Sequence, residues 1–317
     1  MKISILDAST ISMSDLSWDT IHKLGNCEIF PSTSADQIYK KCKDTDIIIA
    51  NKVAFGSDIL NKLPKLKLIC VTATGVNQID LKAAKELNIK VSNVPNYSTY
   101  SVSQMVFAHI LNFTQHVSEH STLIKKGEWQ KRDSFCFWNS TLLELSNLNL
   151  GILGFGNIGK TVANIGKSFG MNILIHTRHP KEKEFPFYQF VELEDLFKRS
   201  DFISLHCPLT NKTDKIINDR LLKLMKKTAF LINTSRGGLI DEQALSNVLN
   251  NNLIKGAGLD VLSTEPPKEN NPLLKSKNTT ITPHIAWATL EARQRVLNET
   301  AKNIESFLKE EDRNIVI

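Results

Sequence analysis

Short apolar runs separated by helix-like segments form two series along the chain. The first series lies within the first hundred residues, with runs at 3–6, 46–50, 66–71 and 89–92. The second begins at Leu148, with runs at 148–153, 171–176, 202–207, 229–233, 257–261 and 279–282. Short apolar runs that alternate with helical spacers indicate βαβ units and parallel sheets. The pattern therefore predicts an α/β protein of two doubly wound, parallel-sheet (Rossmann-like) domains, with the active-site cleft between them.

The end of the chain affects how these domains are divided. After the last apolar run, residues 291–308 have a helical pattern but no strand of their own to cover. We expect this helix to return to the first series, which makes the first domain discontinuous. The predicted division is a substrate-binding domain over 1–98 plus 286–317, and a dinucleotide-binding domain over 99–285. Ser101 and Gln104 resemble a capping box at the start of the second domain.

Residues 118–147 lose the regular alternation. This segment has four aromatic side chains in a polar setting: Trp129, Phe135, Phe137 and Trp138. Because Trp and Phe are enriched in subunit contacts, an irregular segment of this kind indicates a dimerisation arm. A loop folded back on its own domain explains the same pattern equally well.

Composition and charge exclude several classes of protein. Hydrophobic residues make up 41% of the 317 residues and charged residues 23%, as in soluble globular proteins. The apolar runs are too short to cross a bilayer, and Asp7 interrupts the N-terminal run, so we expect no membrane partner and a cytoplasmic location. The net charge of +6 is spread over many lysines, which argues against a nucleic-acid partner. Five scattered cysteines without metal-ligand spacing predict no metal site.

A glycine-rich turn follows the first apolar run of the second series. It consists of Gly154, Phe155, Gly156, Asn157, Ile158 and Gly159. A strand, this turn and a helix-like stretch, in that order, form the context in which GxGxxG binds a dinucleotide. The glycines let the backbone approach a pyrophosphate, and the helix N-terminus supplies N–H donors and a favourable dipole. The turn predicts NAD(H) or NADP(H), the alternative interpretation being a plain tight turn.

The residues after the second run of this series bear on the choice of dinucleotide. At the position where the fold usually has an Asp or Glu for the adenosine ribose, the chain has Thr177 and Arg178, followed by His179 and Lys181. No carboxylate in this stretch of sequence would repel the 2′-phosphate of NADP, and Arg178 can pair with that phosphate. We therefore predict NAD(H) or NADP(H) with a leaning to acceptance of NADP(H).

Chemically distinctive residues follow the ends of the runs in the second series. Ligands of open α/β sheets bind beyond the carboxyl ends of the strands. Three ionisable residues, each beyond a different run, are Arg236, Glu265 and His284. Smaller residues in corresponding places are Cys207, Pro208, Thr234, Ser235 and Asp260. Their common placement predicts one shared crevice.

The three ionisable residues suit the reduction of a ketone that lies next to a carboxylate. The guanidinium of Arg236 can grip a carboxylate with two hydrogen bonds and polarise the neighbouring carbonyl. A hydrogen bond from His284 to Glu265 would fix the tautomer of the imidazole and stabilise its protonated form, so that the imidazolium can donate a proton at neutral pH. We predict hydride transfer from a nicotinamide to the ketone carbon, with His284 protonating the oxygen. A lone histidine or arginine is more often structural, so the prediction rests on the three together.

Several ordered segments resemble the D-isomer-specific 2-hydroxyacid dehydrogenase family, and the likeness extends over essentially the whole chain. Besides the glycine turn, these segments are 75–80, 93–99, 206–210, 233–238, 258–261, 265–266 and 282–289. The last of them is most similar to the glycerate dehydrogenase (hydroxypyruvate reductase) branch. The resemblance implies an Arg–Glu–His catalytic set at Arg236, Glu265 and His284.

The resemblance also implies further contacts and a quaternary structure. The predicted substrate contacts are Asn51, Gly75, Val76, Arg236 and Trp287, with the backbone N–H groups of Gly75 and Val76 on the carboxylate. Together with the residues described above, the predicted cofactor contacts beyond the glycine turn are Thr74, Thr177, Arg178, Cys207, Pro208, Thr213, Thr234, Ser235 and Asp260. The family is typically dimeric, so we expect a homodimer in which the arm near 118–147 embraces the partner.

The predicted function is the NAD(P)-dependent interconversion of a small 2-oxoacid and its D-2-hydroxyacid. The favoured pairs are hydroxypyruvate with D-glycerate and glyoxylate with glycolate, because Trp287 would bound a small pocket where phosphoglycerate dehydrogenases usually have glycine. Two alternatives stay open. One is a reductase of the D-lactate type or for another 2-oxoacid, and the other is a non-catalytic NAD(H)-sensing protein like the family's corepressor relatives.

Overall fold

The computed structural model describes residues 1–180 and 182–317, so Lys181, one of the basic residues named above, lies outside the described residues. The chain divides into two compact units, Met1–Ser98 with Ala288–Ile317, and Thr99–Trp287. The predicted boundary at 286 differs from this division by two residues. Ala286 belongs to the second unit because its N–H donates to Asp260 and its carbonyl accepts from the hydroxyl of Ser101.

The first unit has a five-stranded parallel sheet in the order β2-β1-β3-β4-β5. Its strands are β1 (Lys2–Ile5), β2 (Asn26–Ile29), β3 (Ile47–Ala50), β4 (Leu68–Val71) and β5 (Lys90–Ser92). Its α-helices are α1 (Asp19–His22), α2 (Ile38–Cys42), α3 (Ser57–Leu60), α4 (Leu81–Glu86) and the last helix of the chain, α11 (Leu290–Leu308). The sequence pattern missed β2, because this strand lies at the sheet edge and alternates exposed with half-buried residues.

Helix α11 covers one face of the first unit's sheet. Its side chain at Thr289 caps the N-terminus by accepting a hydrogen bond from the N–H of Ala292. Ala301 and Ile304 pack in one cluster with apolar side chains of β1, β3 and β4. The helix is long enough to span the sheet and has an apolar stripe at helical spacing, which is why the C-terminal segment joins the N-terminal strands.

The second unit has a seven-stranded parallel sheet in the order β12-β11-β10-β9-β6-β7-β8. Its strands are β6 (Asn149–Leu153), β7 (Asn172–His176), β8 (Gln189–Phe190), β9 (Phe202–Leu205), β10 (Phe230–Asn233), β11 (Gly256–Leu259) and β12 (Thr279–Ile281). Its α-helices are α5 (Thr99–Gln115), α6 (Val117–Lys125), α7 (Asn157–Ser168), α8 (Leu193–Arg199), α9 (Asp219–Leu222) and α10 (Glu242–Asn250). Only β8 escaped the sequence pattern, since two residues are too few to form an apolar run. The predicted fold class, two parallel-sheet α/β units, is confirmed.

The capping box expected at Ser101 and Gln104 is wrong. Helix α5 begins at Thr99, so both residues lie inside the helix. Ser101 is buried, and its hydroxyl donates to the carbonyl of Ala286 at 2.5 Å. A tertiary hydrogen bond has therefore replaced the local capping role that the spacing suggested.

The segment expected to act as an arm begins with α6 and continues without helix or strand to residue 148. Phe135 is 88% exposed and Trp138 is 63% exposed, whereas Phe137 packs under the guanidinium of Arg132 at 4.3 Å. In residues 1–180 and 182–317, no helix combines the length and the apolar character needed to cross a membrane.

Candidate active site

The glycine turn joins β6 to α7, as its spacing predicts. Gly154 has a left-handed backbone (φ +96°), and a Cβ atom there would lie 2.6 Å from the backbone carbon of His206. Only glycine fits this conformation and this close approach of two backbones. Gly156, the N-cap of α7, is different: a Cβ atom there would meet no protein atom within 4 Å. The first glycine is thus required by packing, whereas the second borders open space at a helix N-terminus, as a pyrophosphate site requires.

A buried side-chain amide shapes the loop that presents Arg236. Asn233 is the last residue of β10 and is fully buried. Its Oδ1 accepts hydrogen bonds from the N–H and the hydroxyl of Ser235, and its Nδ2 donates to the carbonyl of Arg236 at 2.9 Å. Arg236 itself is exposed, and its guanidinium donates to the carbonyl of Ser235. The backbone of this loop is therefore fixed while the end of the arginine side chain can meet a ligand.

The Arg236 loop also packs directly on the loop that follows β11. A Cβ atom on Gly237 would overlap the backbone of Leu262 and Ser263. Glu265 lies just beyond this contact, and its Oε1 accepts a hydrogen bond from the N–H of Leu262 at 3.1 Å. The absence of a side chain at Gly237 lets the two loops that bear Arg236 and Glu265 come together.

Glu265 and His284 form a close pair. Nδ1 of His284 lies 2.6 Å from Oε2 of Glu265. An ionised carboxylate only accepts hydrogen bonds, so Nδ1 donates to it and Nε2 is left to exchange a proton. The sequence predicted this partnership from two loops that are separate in the chain, and the structure brings the two side chains into hydrogen-bond contact.

The backbone around His284 is held on three sides. His284 has a left-handed conformation (φ 55°), which is costly for a residue with a side chain. Its N–H donates to the carbonyl of Asp260 at 2.8 Å, and its carbonyl accepts from the indole N–H of Trp287 at 2.9 Å. The buried Asp260 carboxylate accepts from the N–H groups of Ile285 and Ala286. Asp260 and Trp287, expected as cofactor and substrate contacts, therefore also stabilise the His284 loop.

Two further expected cofactor residues show contrasting hydroxyls. The side-chain oxygen of Thr234 is buried and has no hydrogen-bond partner among the residues that the structure describes. A buried hydroxyl without a partner is rare in proteins and fits a ligand that completes it. Thr213, in contrast, donates to the carbonyl of Pro208 and accepts from the N–H of Thr210, which closes its own loop. Thr234 and the open space at Gly156 fit a dinucleotide along this edge.

The strand-end residues near β9 are partly buried and uncharged. Cys207 is half-buried, and burial raises the pKa of its thiol, although the nearby Arg178 acts in the opposite direction. Burial lowers the pKa of His206 to about 3, and its Nε2 lies 2.8 Å from the hydroxyl of Ser204. Both groups are therefore neutral near pH 7, which suits an apolar surface against a ligand rather than proton transfer.

A cavity of about 670 Å³ opens at the carboxyl end of β7. Thr177 and Arg178 line it, as do three acidic residues: Glu182 in the loop after β7, and Glu192 and Asp195 at the start of α8. The expectation that no carboxylate is present there to repel a 2′-phosphate is therefore wrong. The carboxylates reach the cavity from the loop after β7 and from the start of α8. The positions directly after the strand therefore do not reveal them.

The expected residues of the first unit lie at the carboxyl edge of its own sheet. Asn51 follows β3, and its backbone N–H donates to the buried carboxylate of Asp7, which also accepts from the N–H of Lys52. Desolvation by burial raises the pKa of Asp7, and these backbone donors oppose that effect. Thr74 follows β4, and its hydroxyl donates to the carbonyl of Val94 at 2.9 Å. Gly75 and Val76 come next and are half-buried.

Gly156→Ala is expected to separate cofactor binding from folding. Alanine accepts the extended backbone found there (φ −79°), and its methyl group would meet no protein atom, so the melting temperature should change little. The same methyl group would occupy the space next to the helix N-terminus and weaken dinucleotide binding by about tenfold or more, or ~1.4 kcal/mol. Titration of NADH and NADPH fluorescence together with thermal unfolding measures both effects.

Gly159→Ala is the matched control for that prediction. Its Cβ atom would overlap the carbonyl oxygen of Gly154, so this variant should lose stability, by roughly 1–3 kcal/mol, as overpacked sites do. If Gly156→Ala destabilised the fold as much as Gly159→Ala, or bound the dinucleotide as well as the unsubstituted protein, the turn would not be the phosphate site.

Sequence reasoning missed residues that hold the Arg236 and Glu265 loops in place. Asn233 shapes the Arg236 loop, and Glu242 accepts three hydrogen bonds from the loop that bears Glu265. Asn233 lies in a segment whose evident chemical signals are its arginine and its glycines. Glu242 is the first residue of α10, where an acidic residue is ordinary, so no local signal distinguished it.

Known proteins resemble this chain along its whole length. Residues 107–286 match the family model described as the NAD-binding domain of D-isomer specific 2-hydroxyacid dehydrogenases. The chain is 39% identical over 320 residues to a hydroxypyruvate reductase of Blautia hydrogenotrophica, covering 100% of this chain and 99% of that protein. It is 34% identical to a glycerate dehydrogenase of Methylorubrum extorquens, covering 99% and 98% of the two chains.

A solved structure extends the comparison to three dimensions. An acyclic imino acid reductase in complex with NADPH and D-Arg superposes with a TM-score of 0.86 at 32% identity, with 100% of both chains covered. The family match and these relatives support NAD(H) or NADP(H) as the cofactor class and small hydroxyacids as substrates. The chain therefore belongs to the D-isomer specific 2-hydroxyacid dehydrogenase family, and its activity is that of an NAD(P)-dependent oxidoreductase acting on the CH–OH group of a 2-hydroxyacid.

Proposed function

We propose that this enzyme reduces hydroxypyruvate or glyoxylate to D-glycerate or glycolate. The observation that supports this most directly is the 2.6 Å contact between His284 and Glu265, on the sheet edge that also bears Arg236 and the glycine turn. A proton donor, a carboxylate-binding cation and a dinucleotide site on one edge are the parts that 2-oxoacid reduction needs. The names of the two relatives described above, a hydroxypyruvate reductase and a glycerate dehydrogenase, favour a three-carbon substrate.

In the proposed mechanism, Arg236 binds the substrate carboxylate with two parallel hydrogen bonds and polarises the adjacent ketone. The backbone N–H groups of Gly75 and Val76 are proposed as further donors to the same carboxylate. A bound nicotinamide dinucleotide supplies the hydride. His284 donates its Nε2 proton to the ketone oxygen, and Glu265 holds the ring through Nδ1 throughout. One hydride at carbon and one proton at oxygen complete the 2-hydroxyacid.

We further propose that Trp287 limits the size of the substrate. Its indole N–H is held by the carbonyl of His284 at 2.9 Å, so the ring has little freedom to move away from the catalytic loop. Asn51, whose backbone is fixed by Asp7, is proposed as an additional substrate contact. A rigid aromatic side chain next to the proton donor favours a short substrate over a branched or aromatic one.

The test is a panel of kcat/KM values for hydroxypyruvate, glyoxylate, pyruvate, a branched 2-oxoacid and phenylpyruvate, each with NADH and with NADPH. We expect hydroxypyruvate and glyoxylate to lead the panel. A clear preference for pyruvate or a larger acid would support the D-lactate-type or other 2-oxoacid alternative. Tight dinucleotide binding without turnover of any acid would instead support the non-catalytic sensing alternative.

We propose that the enzyme accepts NADP(H) and that Arg178 pairs with the 2′-phosphate. Arg178 follows β7 and is exposed at the mouth of the 670 Å³ cavity. The NADPH-bound structural relative supports this cofactor. The carboxylates of Glu192 and Asp195 in the same cavity oppose it, because they would repel the phosphate and accept hydrogen bonds from ribose hydroxyls instead.

Arg178→Ala is expected to lower the ratio of kcat/KM for NADPH to that for NADH by about 10–100-fold, since charge-assisted hydrogen bonds contribute roughly 1.5–3 kcal/mol. Asp195→Asn removes a neighbouring negative charge of the same cavity and should raise that ratio. Steady-state kinetics with saturating 2-oxoacid measures both variants. An unchanged ratio in Arg178→Ala would rule out the proposed phosphate contact.

We also propose a homodimer formed through the arm near 118–147. The exposed Phe135 and Trp138 support this, because their burial against a second copy would remove apolar surface from water. Sedimentation equilibrium should give twice the chain mass of 35.6 kDa, and a Phe135→Ser/Trp138→Ser variant should give the monomer mass. A monomer in the unsubstituted protein would support the alternative of a loop folded on its own domain.

A further inference from the structure

The loop that bears Glu265 has little packing of its own. Residues 263–270 are all exposed, and no helix or strand forms between β11 and the short turn of 3₁₀-helix at Pro272–Lys275. Such a loop samples many conformations unless specific contacts hold it. The 2.6 Å contact between Glu265 and His284 therefore depends on how this loop is anchored.

One carboxylate anchors both ends of the loop. Oε1 of Glu242 accepts a hydrogen bond from the backbone N–H of Ser263 at 2.7 Å. Oε2 accepts from the Ser263 hydroxyl at 2.7 Å and from Nδ2 of Asn271 at 2.9 Å. Ser263 opens the exposed segment and Asn271 follows it, so a single side chain fixes the points between which Glu265 lies. Hydrogen bonds to an ionised acceptor are stronger than those between neutral groups.

Glu242 also connects this loop to the one that bears Arg236. It is the first residue of α10, whose N-cap is Asp241. The Arg236 loop leads directly into this helix. Gly237 of that loop also packs on the backbone of Leu262, next to Ser263. The start of α10 is thus the common support for two of the three catalytic loops.

We propose that Glu242 is a positioning residue of the active site: it holds Glu265 in register with His284 by anchoring Ser263 and Asn271. The inference rests on the proposed function, since it assigns the effect to the proton donor of that reaction. It differs from a purely structural role, in which a carboxylate in the first turn of α10 stabilises the helix dipole. The two roles predict different kinetic results.

Glu242→Ala is expected to lower kcat for the best 2-oxoacid by about tenfold or more, as the loss of charge-assisted hydrogen bonds implies, while KM for NAD(P)H stays unchanged. Glu242→Gln retains one acceptor oxygen and one end of the loop, so its kcat should lie between those of Glu242→Ala and the unsubstituted enzyme. Gln243→Ala is the matched control, because Gln243 is the exposed neighbour in the same helical turn and bonds to Asn247. This control should retain full activity.

The decisive measurement is a double-mutant cycle with Glu265→Gln. If Glu242 acts through Glu265, then Glu242→Ala should lower kcat much less in the Glu265→Gln background than in the unsubstituted enzyme. A structural role through the helix predicts equal loss in both backgrounds. Equal loss would therefore overturn the proposal, as would full activity in Glu242→Ala.

Amide hydrogen exchange tests the anchoring role of Glu242 independently of activity. Glu242→Ala should speed exchange of the backbone amides in 263–271, whereas Gln243→Ala should not. If the unsubstituted protein showed no turnover, the proposed function would fail, and the role in catalysis would fail with it. If turnover were normal and exchange in 263–271 did not respond to Glu242→Ala, the anchoring role alone would be refuted.

Discussion

His284→Ala should lower kcat for reduction of the best 2-oxoacid by about 10²–10⁴-fold, because a positioned general acid contributes a factor of that size. Nδ1 of His284 lies against Glu265 in the structure, and Nε2 is the proton donor that we propose. Without the imidazole, the alkoxide that forms at the ketone oxygen must take its proton from water. Binding of the dinucleotide should change little, because the glycine turn and Thr234 lie on different loops from His284. Stopped-flow measurement of NAD(P)H oxidation, with cofactor titration in parallel, checks both parts.

His22→Ala is the control for this substitution. His22 is exposed at the end of α1, so removing its imidazole tests for unspecific loss of a histidine. Glu265→Gln should give a smaller loss than His284→Ala, because glutamine can still accept one hydrogen bond from Nδ1 but has no charge to stabilise the imidazolium. A His284→Ala enzyme with more than about a tenth of normal kcat would contradict the assigned role.

Arg236→Ala should lower kcat/KM for the 2-oxoacid. The expected loss of transition-state stabilisation is about 2–5 kcal/mol, the range observed when one partner of a hydrogen-bonded charge pair is removed. The effect should appear in KM as well as kcat, because the guanidinium grips the carboxylate in the ground state and polarises the ketone in the transition state. Arg236→Lys should recover only part of the loss, since an ammonium group cannot form two parallel hydrogen bonds with a carboxylate.

The fold should survive the Arg236 substitutions. Asn233 bonds to the backbone carbonyl of residue 236, not to its side chain, so the loop keeps its shape. Arg220→Lys, at an exposed arginine paired with Glu194, is the control and should leave kinetics unchanged. If Arg236→Ala kept normal KM for a 2-oxoacid but lost affinity for dinucleotide, Arg236 would belong to the cofactor site instead.

Local sequence patterns predicted most of the secondary structure. Buried strands such as β3 and β4 are uninterrupted apolar runs, which identify themselves without knowledge of their neighbours. β2 and β8 escaped because edge strands bury little, and their pairing depends on the adjacent strand rather than on their own composition. Ser101 failed as a cap because its hydroxyl bonds to Ala286, a residue far along the chain.

The candidate site residues also divide into those that a local pattern predicted and those that it did not. Because the carboxyl ends of parallel strands share one edge, the placement of Arg236, Glu265 and His284 after separate runs predicted one shared edge, and the structure brings Glu265 and His284 into contact there. The carboxylates of Glu192 and Asp195 could not be predicted in this way. They reach the cavity of Arg178 from the start of α8, whereas Arg178 itself follows the end of β7.

The sequence by itself therefore determined the fold class, the family, the glycine turn and the chemical types of the side chains proposed for catalysis. These depend on periodicity and on residue identity, which are local properties. Only the tertiary structure decided what holds those side chains in place: Asn233 under the Arg236 loop, Asp260 around His284 and Glu242 at both ends of the Glu265 loop. The supports from Asp260 and Glu242 are hydrogen bonds between distant segments, which no spacing in the sequence specifies, whereas Asn233 bonds within its own loop.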